Sequence, residues 1–310
     1  MIIAARMLDT RGVLRMLLAI AAFTLATACQ PQAAAPWPEA IARAANSNPL
    51  VRIVVLDIAT GRLLAANHLG QTARTLAAPG STLKPLVLYG LVASGHWDPA
   101  RRIACTRKLT IAGRSLNCSH PPAEPMDARQ ALAWSCNTYF ASVADALAPG
   151  ELRGLLAPTG VLSQTGLAAQ EALAAFTDPR TPDENRLTLL GVEGIRVTPL
   201  ELASAYRWLA QRLDTRPDTP AAHLIQAGLA DSASFGIAAP ASLGRVAVAG
   251  KTGTANLGAG TPAHGWFAGW APAEHPRVVI VVYLPAGHGA NAAEVSASLL
   301  ADSPLRQSKP

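Results

Sequence analysis

Two of the chain's four lysines sit in short motifs whose residue types suit nucleophilic chemistry. The first motif is Ser81-Thr82-Leu83-Lys84 and the second is Lys251-Thr252-Gly253-Thr254. The other 22 basic residues are arginines, which stay protonated and cannot act as bases. A lysine three positions after a serine shares its helix face. If burial or a neighbouring charge lowers the lysine pKa from about 10.4, it can take the serine's proton. Serine then becomes a nucleophile without any histidine. Ser81-x-x-Lys84 is the only such pair in the chain.

Two triplets could supply further polar groups. Ser135-x-Asn137 lies in a helical stretch beside Trp134 and Tyr139-Phe140, whereas Ser115-x-Asn117 lies in a loop between two cysteines. The former suits a second hydroxyl that relays a proton and an amide that holds a substrate. In Lys251-Thr252-Gly253-Thr254, the lysine offers a positive charge for a carboxylate and the threonines offer hydroxyls. Gly253 lets a substrate backbone come close. Two competing chemistries fail on spacing. A phosphate-binding loop needs glycine five residues before Gly250, and Arg245 stands there. No Gly-x-Ser-x-Gly elbow occurs. His264, beside Trp266-Phe267, reads as packing rather than catalysis.

Several elements must position these groups. Val51 to Ile58 is a β-branched apolar run, Thr60-Gly61 a turn, and Leu63 to Ala66 a return strand. A helix is expected from Ser81 to Val92, with Ser81-Thr82 as cap and Pro85 in the first turn. Residues 97–125 are proline-rich and loop-like. Asp127 to Leu147 reads as a helix interrupted near Ser135-Cys136-Asn137, and 151–190 as irregular with short helices. Thr198-Pro199-Leu200-Glu201 opens another helix through a capping box, ending near Leu213. Strands are expected at Arg245 to Ala249, Gly265 to Trp270 and Val278 to Leu284, then a helix from Ala292 to Ala301. This order predicts an α+β domain with a helical insertion at about 97–200.

The leader has Arg6, Arg11 and Arg15, then an apolar run from Met16 to Ala28 broken only by two threonines. It is short for a membrane span and suits a signal peptide over residues 1–28. Cys29 follows Ala26-Thr27-Ala28. Lipidation at Cys29, simple secretion and a retained anchor all fit, so the expected location is the periplasm or the outer face of the cytoplasmic membrane. Membrane association is expected only through this N-terminus. Residues 29–40 read as a linker, 41–303 as the domain and 304–310 as a tail. In an oxidising compartment Cys105 and Cys118 are candidates for a disulfide, contributing about 3 kcal/mol. Two unpaired thiols are the alternative. Cys136 reads as a buried small hydrophobe, and no Cys/His spacing resembles a zinc site. The net charge is +6, which fits an arginine-rich surface or attraction to an acidic polymer or anionic membrane. The densest basic cluster, Arg101-Arg102 with Arg107-Lys108, is too sparse for nucleic acid.

The three motifs in this order make the sequence resemble the penicillin-binding transpeptidase family. The likeness extends to Val54-Val55-Leu56-Asp57, Pro79-Gly80-Ser81-Thr82-Leu83-Lys84-Pro85, Ser135-Cys136-Asn137-Thr138-Tyr139-Phe140, Val197 to Ala203 and Trp266 to Pro272. The resemblance implies an antiparallel β-sheet flanked by helices plus a mostly helical subdomain. It implies that Ser81 attacks a D-Ala-D-Ala stem peptide of peptidoglycan, or a β-lactam, and becomes acylated. Lys84 would take the serine proton and Ser135 would pass one to the leaving amine. Asn137 would hold the peptide, and Lys251, Thr252 and Thr254 would bind the terminal carboxylate. The N–H groups of Ser81 and Thr254 would form an oxyanion hole. No metal or cofactor is expected, and a cell-wall synthesis protein is the expected partner. Two departures touch the acceptor: the usual large preceding domain and a glycosyltransferase region are not expected, and Gly191-Val192-Glu193-Gly194 replaces the family's Gly-Gln-Gly. A β-lactamase would need a Glu-x-x-Leu-Asn loop, and the nearest stretch, Glu184 to Thr188, ends in threonine. A non-catalytic antibiotic or peptide sensor is the third reading.

Overall fold

The computed structural model describes residues 36–121, 123–148, 150–243, 246–256 and 261–307. The leader, Cys29 and the first part of the expected linker lie outside them. Helix α1 (Trp37–Ala45) starts inside the stretch read as linker, with Pro38 in its first turn, where the missing N–H is tolerated. Strands β1 (Arg52–Asp57) and β2 (Leu63–Ala66) form the expected hairpin. The Asp57 carboxylate closes its turn by accepting from the Thr60 N–H at 2.7 Å.

A mostly helical stretch follows. It holds α2 (Leu69–Thr72), α3 (Lys84–Ala93), α4 (Ala128–Trp134), α5 (Asn137–Ala144), α6 (Glu151–Leu156), α7 (Pro182–Leu189), α8 (Pro199–Thr215) and α9 (Pro220–Ser234). Two short ribbons interrupt it: β3 (Thr110–Ile111) with β4 (Arg114–Ser115), and β5 (Ala175–Phe176) with β6 (Ile195–Arg196). Strands β7 (Ala249–Ala255), β8 (His264–Ala271) and β9 (Val278–Leu284) and helix α10 (Gly289–Ala301) complete the fold. The five long strands make one antiparallel sheet in the order β2-β1-β9-β8-β7.

Both faces of the sheet are covered, so its inner strands run apolar instead of alternating. Every residue of β9 is buried. Ile53, Val55, Phe267, Ile280 and Val282 join Ile41 of α1 and Leu299 of α10 in one core. Their neighbours Val54, Leu56, Trp266 and Val281 join Tyr206 of α8 and Leu86 of α3 in the other. The period of two along each strand therefore ties both layers to one sheet.

The interruption expected near Ser135-Cys136-Asn137 is present: Ser135 at φ 58° takes the left-handed conformation, ends α4 and separates it from α5. Two expectations change. The strand expected at 245–249 is β7, which starts four residues later and ends six later, because Ala249 to Ala255 pair in full register with β8. Helix α9 was not read from the sequence, whose alanine, glycine and serine content gives a weak apolar stripe. Thr219 and Pro220 did mark its start: the Thr219 hydroxyl accepts from the Ala222 N–H at 3.2 Å.

Candidate active site

Ser81 lies in a tight 3-10 turn, Gly80–Leu83, that runs into α3. It is not the expected helix cap. The Thr82 hydroxyl bonds the turn, donating to the Pro79 carbonyl at 2.8 Å, and Ser81 opens on a groove. The turn is held from several sides. Tyr206 Oη donates to the Thr82 carbonyl at 2.8 Å, Trp266 Nε1 to the Ala78 carbonyl at 2.9 Å, and the Gly80 N–H to the Gly191 carbonyl at 2.8 Å.

Strand β7 packs directly on this turn. A Cβ on Gly253 would fall 2.4 Å from the Pro79 carbonyl oxygen, and one on Gly80 (φ 56°) would fall 2.8 Å from the Thr254 amide nitrogen. Only glycine allows both approaches. The Ser81 and Thr254 amides, expected to act together, border this contact.

Lys84, at the start of α3, is fully buried. Its Nζ donates to Asn137 Oδ1 at 2.7 Å, to the Ser135 carbonyl at 3.0 Å and to Ser135 Oγ at 3.2 Å, and lies 4.8 Å from the centre of the Phe140 ring. Burial lowers its pKa to about 8, while the nearby Cys136, Cys118 and Cys105 pull it upward. The left-handed turn at Ser135 presents both oxygens to one amine, a strained backbone at a site of convergent polar groups. Asn137 Nδ2 donates to the Leu116 carbonyl at 3.0 Å, so its side chain spans from Lys84 to the 105–118 loop.

Lys251 is also fully buried, and its Nζ donates to the Thr252 carbonyl at 3.2 Å. Burial first, and the Lys84 charge second, hold its pKa well below the ordinary lysine range. Thr252 and Thr254 border the groove, and Thr254 Oγ1 accepts from the Gly289 N–H at 3.0 Å. The groove, of about 730 Å³, thus gathers Ser81, Ser135, Asn137, Thr252 and Thr254. A depression of about 860 Å³ near Asp57, Gln211 and Arg277 contains none of them, so size alone does not choose the site.

Sequence reasoning missed part of the lining. Val192, Ile237 and His288 border the groove, as do Ser115, Leu116 and Asn117 of the triplet set aside in favour of Ser135-x-Asn137. Both triplets meet one cleft, which spacing along the chain does not reveal. Cys105 and Cys118 stand as free thiols, their sulfurs 3.4 Å apart, where a disulfide was considered. A third sulfur and an imidazole share their space. His264 stacks edge-on against Tyr283 at 5.5 Å, as expected for packing.

An amine one turn after a serine, with its pKa brought down to about 8 and bonded to a second hydroxyl, is equipped for acyl transfer. The family comparison agrees. A model of the penicillin binding protein transpeptidase domain matches residues 51–303, and the chain belongs to that family. It is a penicillin-binding acyltransferase of the peptidoglycan enzymes. No curated protein matches. Solved structures similar in fold include the transpeptidase domain of Burkholderia pseudomallei penicillin-binding protein 3, at 20% identity and TM-score 0.73, covering 85% of this chain and 91% of that one. Pseudomonas aeruginosa PBP2 in complex with WCK 5153 matches at 21% identity and TM-score 0.70, over 84% of this chain and 75% of that one. Helicobacter pylori PBP2, solved in complex with MreC, matches at 15% identity and TM-score 0.73, over 84% and 61%.

Proposed function

We propose that the chain is a serine D,D-transpeptidase, or a carboxypeptidase by the same chemistry, acting on D-Ala-D-Ala stem peptides. The observation that carries this reading is the Lys84 amine: buried, lowered to about 8, and bonded to Ser135 one turn after Ser81. Neutral Lys84 takes the Ser81 proton as Oγ attacks the penultimate D-Ala carbonyl. The oxyanion sits between the Ser81 and Thr254 N–H groups, each worth about 3 kcal/mol. Ser135 relays a proton to the leaving D-alanine nitrogen, the C–N bond breaks, and a Ser81 ester remains. Lys251, Thr252 and Thr254 hold the terminal carboxylate, and Asn137 the peptide. Strand β7 is a sheet edge, so an extended substrate can pair along it. A second amine or water then takes the acyl group. A β-lactam opens its ring in place of expelling an amine, so its ester persists.

Export to the periplasm or outer membrane face, by secretion or lipidation at Cys29, belongs to the same reading, as does a cell-wall synthesis partner. The test is a time course with fluorescent penicillin, read on a denaturing gel beside Ser81→Ala, followed by assay of D-alanine release and cross-linking on a D-Ala-D-Ala pentapeptide. A band lasting many minutes, absent from Ser81→Ala, is expected. A transient band with rapid drug loss would mean a β-lactamase. Labelled Ser81→Ala would sink the assignment of the nucleophile. Persistent labelling with no turnover of the peptide would mean a sensor.

A further inference from the structure

We propose that Cys105, Cys118, His120 and Cys136 form a zinc site that fixes one wall of the groove. Their ligand atoms all lie within 4.8 Å of one another. The printed separations are 3.4 Å for Cys105 Sγ to Cys118 Sγ, 4.0 Å for Cys118 Sγ to Cys136 Sγ, and 3.3 Å for Cys105 Sγ to His120 Nε2. A tetrahedral ion with Zn–S near 2.3 Å and Zn–N near 2.05 Å needs about 3.8 Å between sulfurs and about 3.6 Å from sulfur to nitrogen. Each of these three separations is within a few tenths of an ångström of that shape, and the others do not exceed 4.8 Å. A disulfide would join two sulfurs at about 2.05 Å and leave a third thiol and an imidazole converging on the bond without purpose.

Two contacts outside the cluster point the same way. His120 Nδ1 lies 2.6 Å from the Pro121 carbonyl oxygen. That oxygen only accepts, so Nδ1 carries the proton and the lone pair of Nε2 faces the sulfurs. This is the outer contact that orients a metal-binding histidine. The Asn137 N–H donates to Cys118 Sγ at 3.1 Å, as expected for a thiolate ligand. Cys118, His120 and Cys136 are buried, and half-buried Cys105 leaves an entry path. Three thiolates and one imidazole, with no open position, select zinc in a structural role.

The spacing hid the site because no pair of ligands forms a Cys-x-x-Cys knuckle. Instead the ion would tie three separate stretches: the start of the 105–118 loop, its end, and the residue between Ser135 and Asn137. That loop carries Leu116 and Asn117 to the groove and accepts from Asn137 Nδ2. Among the described residues from 97 to 127, only β3 and β4 are regular. Metal binding would add a tie to the few core contacts of this stretch, such as those of Ile111 and Met126. The inference stands independently of the acyl-transfer reading.

The test is metal analysis of the full chain, purified without chelator, and replacement by cobalt(II). About one zinc per chain is expected, with intense sulfur-to-cobalt absorption and a tetrahedral visible band. Cys118→Ser and His120→Ala should each weaken binding by more than about 100-fold, beyond the roughly 10–100-fold that outer-contact changes typically cost. His120→Cys should retain the metal and shift the cobalt bands toward an all-sulfur set. The idea is overturned if wild type with three free thiols takes up neither metal, if the native protein holds a Cys105–Cys118 disulfide, or if bound zinc is undiminished in Cys118→Ser/His120→Ala.

Discussion

At the scale of single residues, Lys84 makes the sharpest prediction. Burial disfavours its ammonium and the three nearby thiols favour it; the net result is a pKa of about 8. Lys251 shares the site, and Ser135 and Asn137 face the amine. The neutral amine is the form that can accept a proton. Acylation by penicillin should therefore rise about tenfold per pH unit below 8 and level off above it. A rate that is flat from pH 6 to 9 would remove Lys84 as the base. Lys84→Arg keeps the charge at every pH, and should slow acylation by about 100-fold or more without restoring a pH rise. Ser81-x-x-Lys84 was legible because both partners lie on one turn. The partners of Lys84 across the chain, Ser135 and Asn137, had only a triplet to mark them, and a second triplet matched equally well. Nothing local marked the four-residue cysteine and histidine cluster, which exists only where three stretches meet.

At the scale of elements, the contact between β7 and the serine turn sets the geometry of the groove. Gly253→Ala places a methyl against the Pro79 carbonyl, so the turn and the strand must separate. A displacement of about 1 Å can cost 100-fold in rate, and that loss of acylation is expected in a protein that still folds. Unchanged labelling kinetics for Gly253→Ala would show the contact to be immaterial. The capping box of α8 controls stability instead. Glu201 is fully buried and accepts from the Thr198 N–H at 2.7 Å and the Ala174 N–H at 2.6 Å. Glu201→Ala leaves both donors unpaired and should cost about 1–3 kcal/mol for each, seen as a lower denaturation midpoint. Elements with local signals, such as this box and the β1–β2 hairpin, were legible in the sequence. The strand boundary that failed was decided by a distant partner: pairing with β8 carried β7 through two glycines.

At the scale of the whole molecule, the groove is a seam. Thr252, Thr254 and His288 come from the sheet side, while Ser81, Ser135, Asn137 and Val192 come from the helical side. One sheet serves both cores, so anything bridging the seam adds contacts that only the folded chain makes. Such contacts stabilise by linkage. The ester bond itself survives unfolding and contributes nothing. Contacts of the acyl group with the groove lining, which includes Thr254, Asn137 and Val192, would not survive it. Penicillin-acylated protein should therefore melt higher than free protein, by about 2–4 °C per kcal/mol of new contact. Ser81→Ala in the same drug should show no shift. Complete labelling with an unchanged melting temperature would place the acyl group in solvent and not between the two walls.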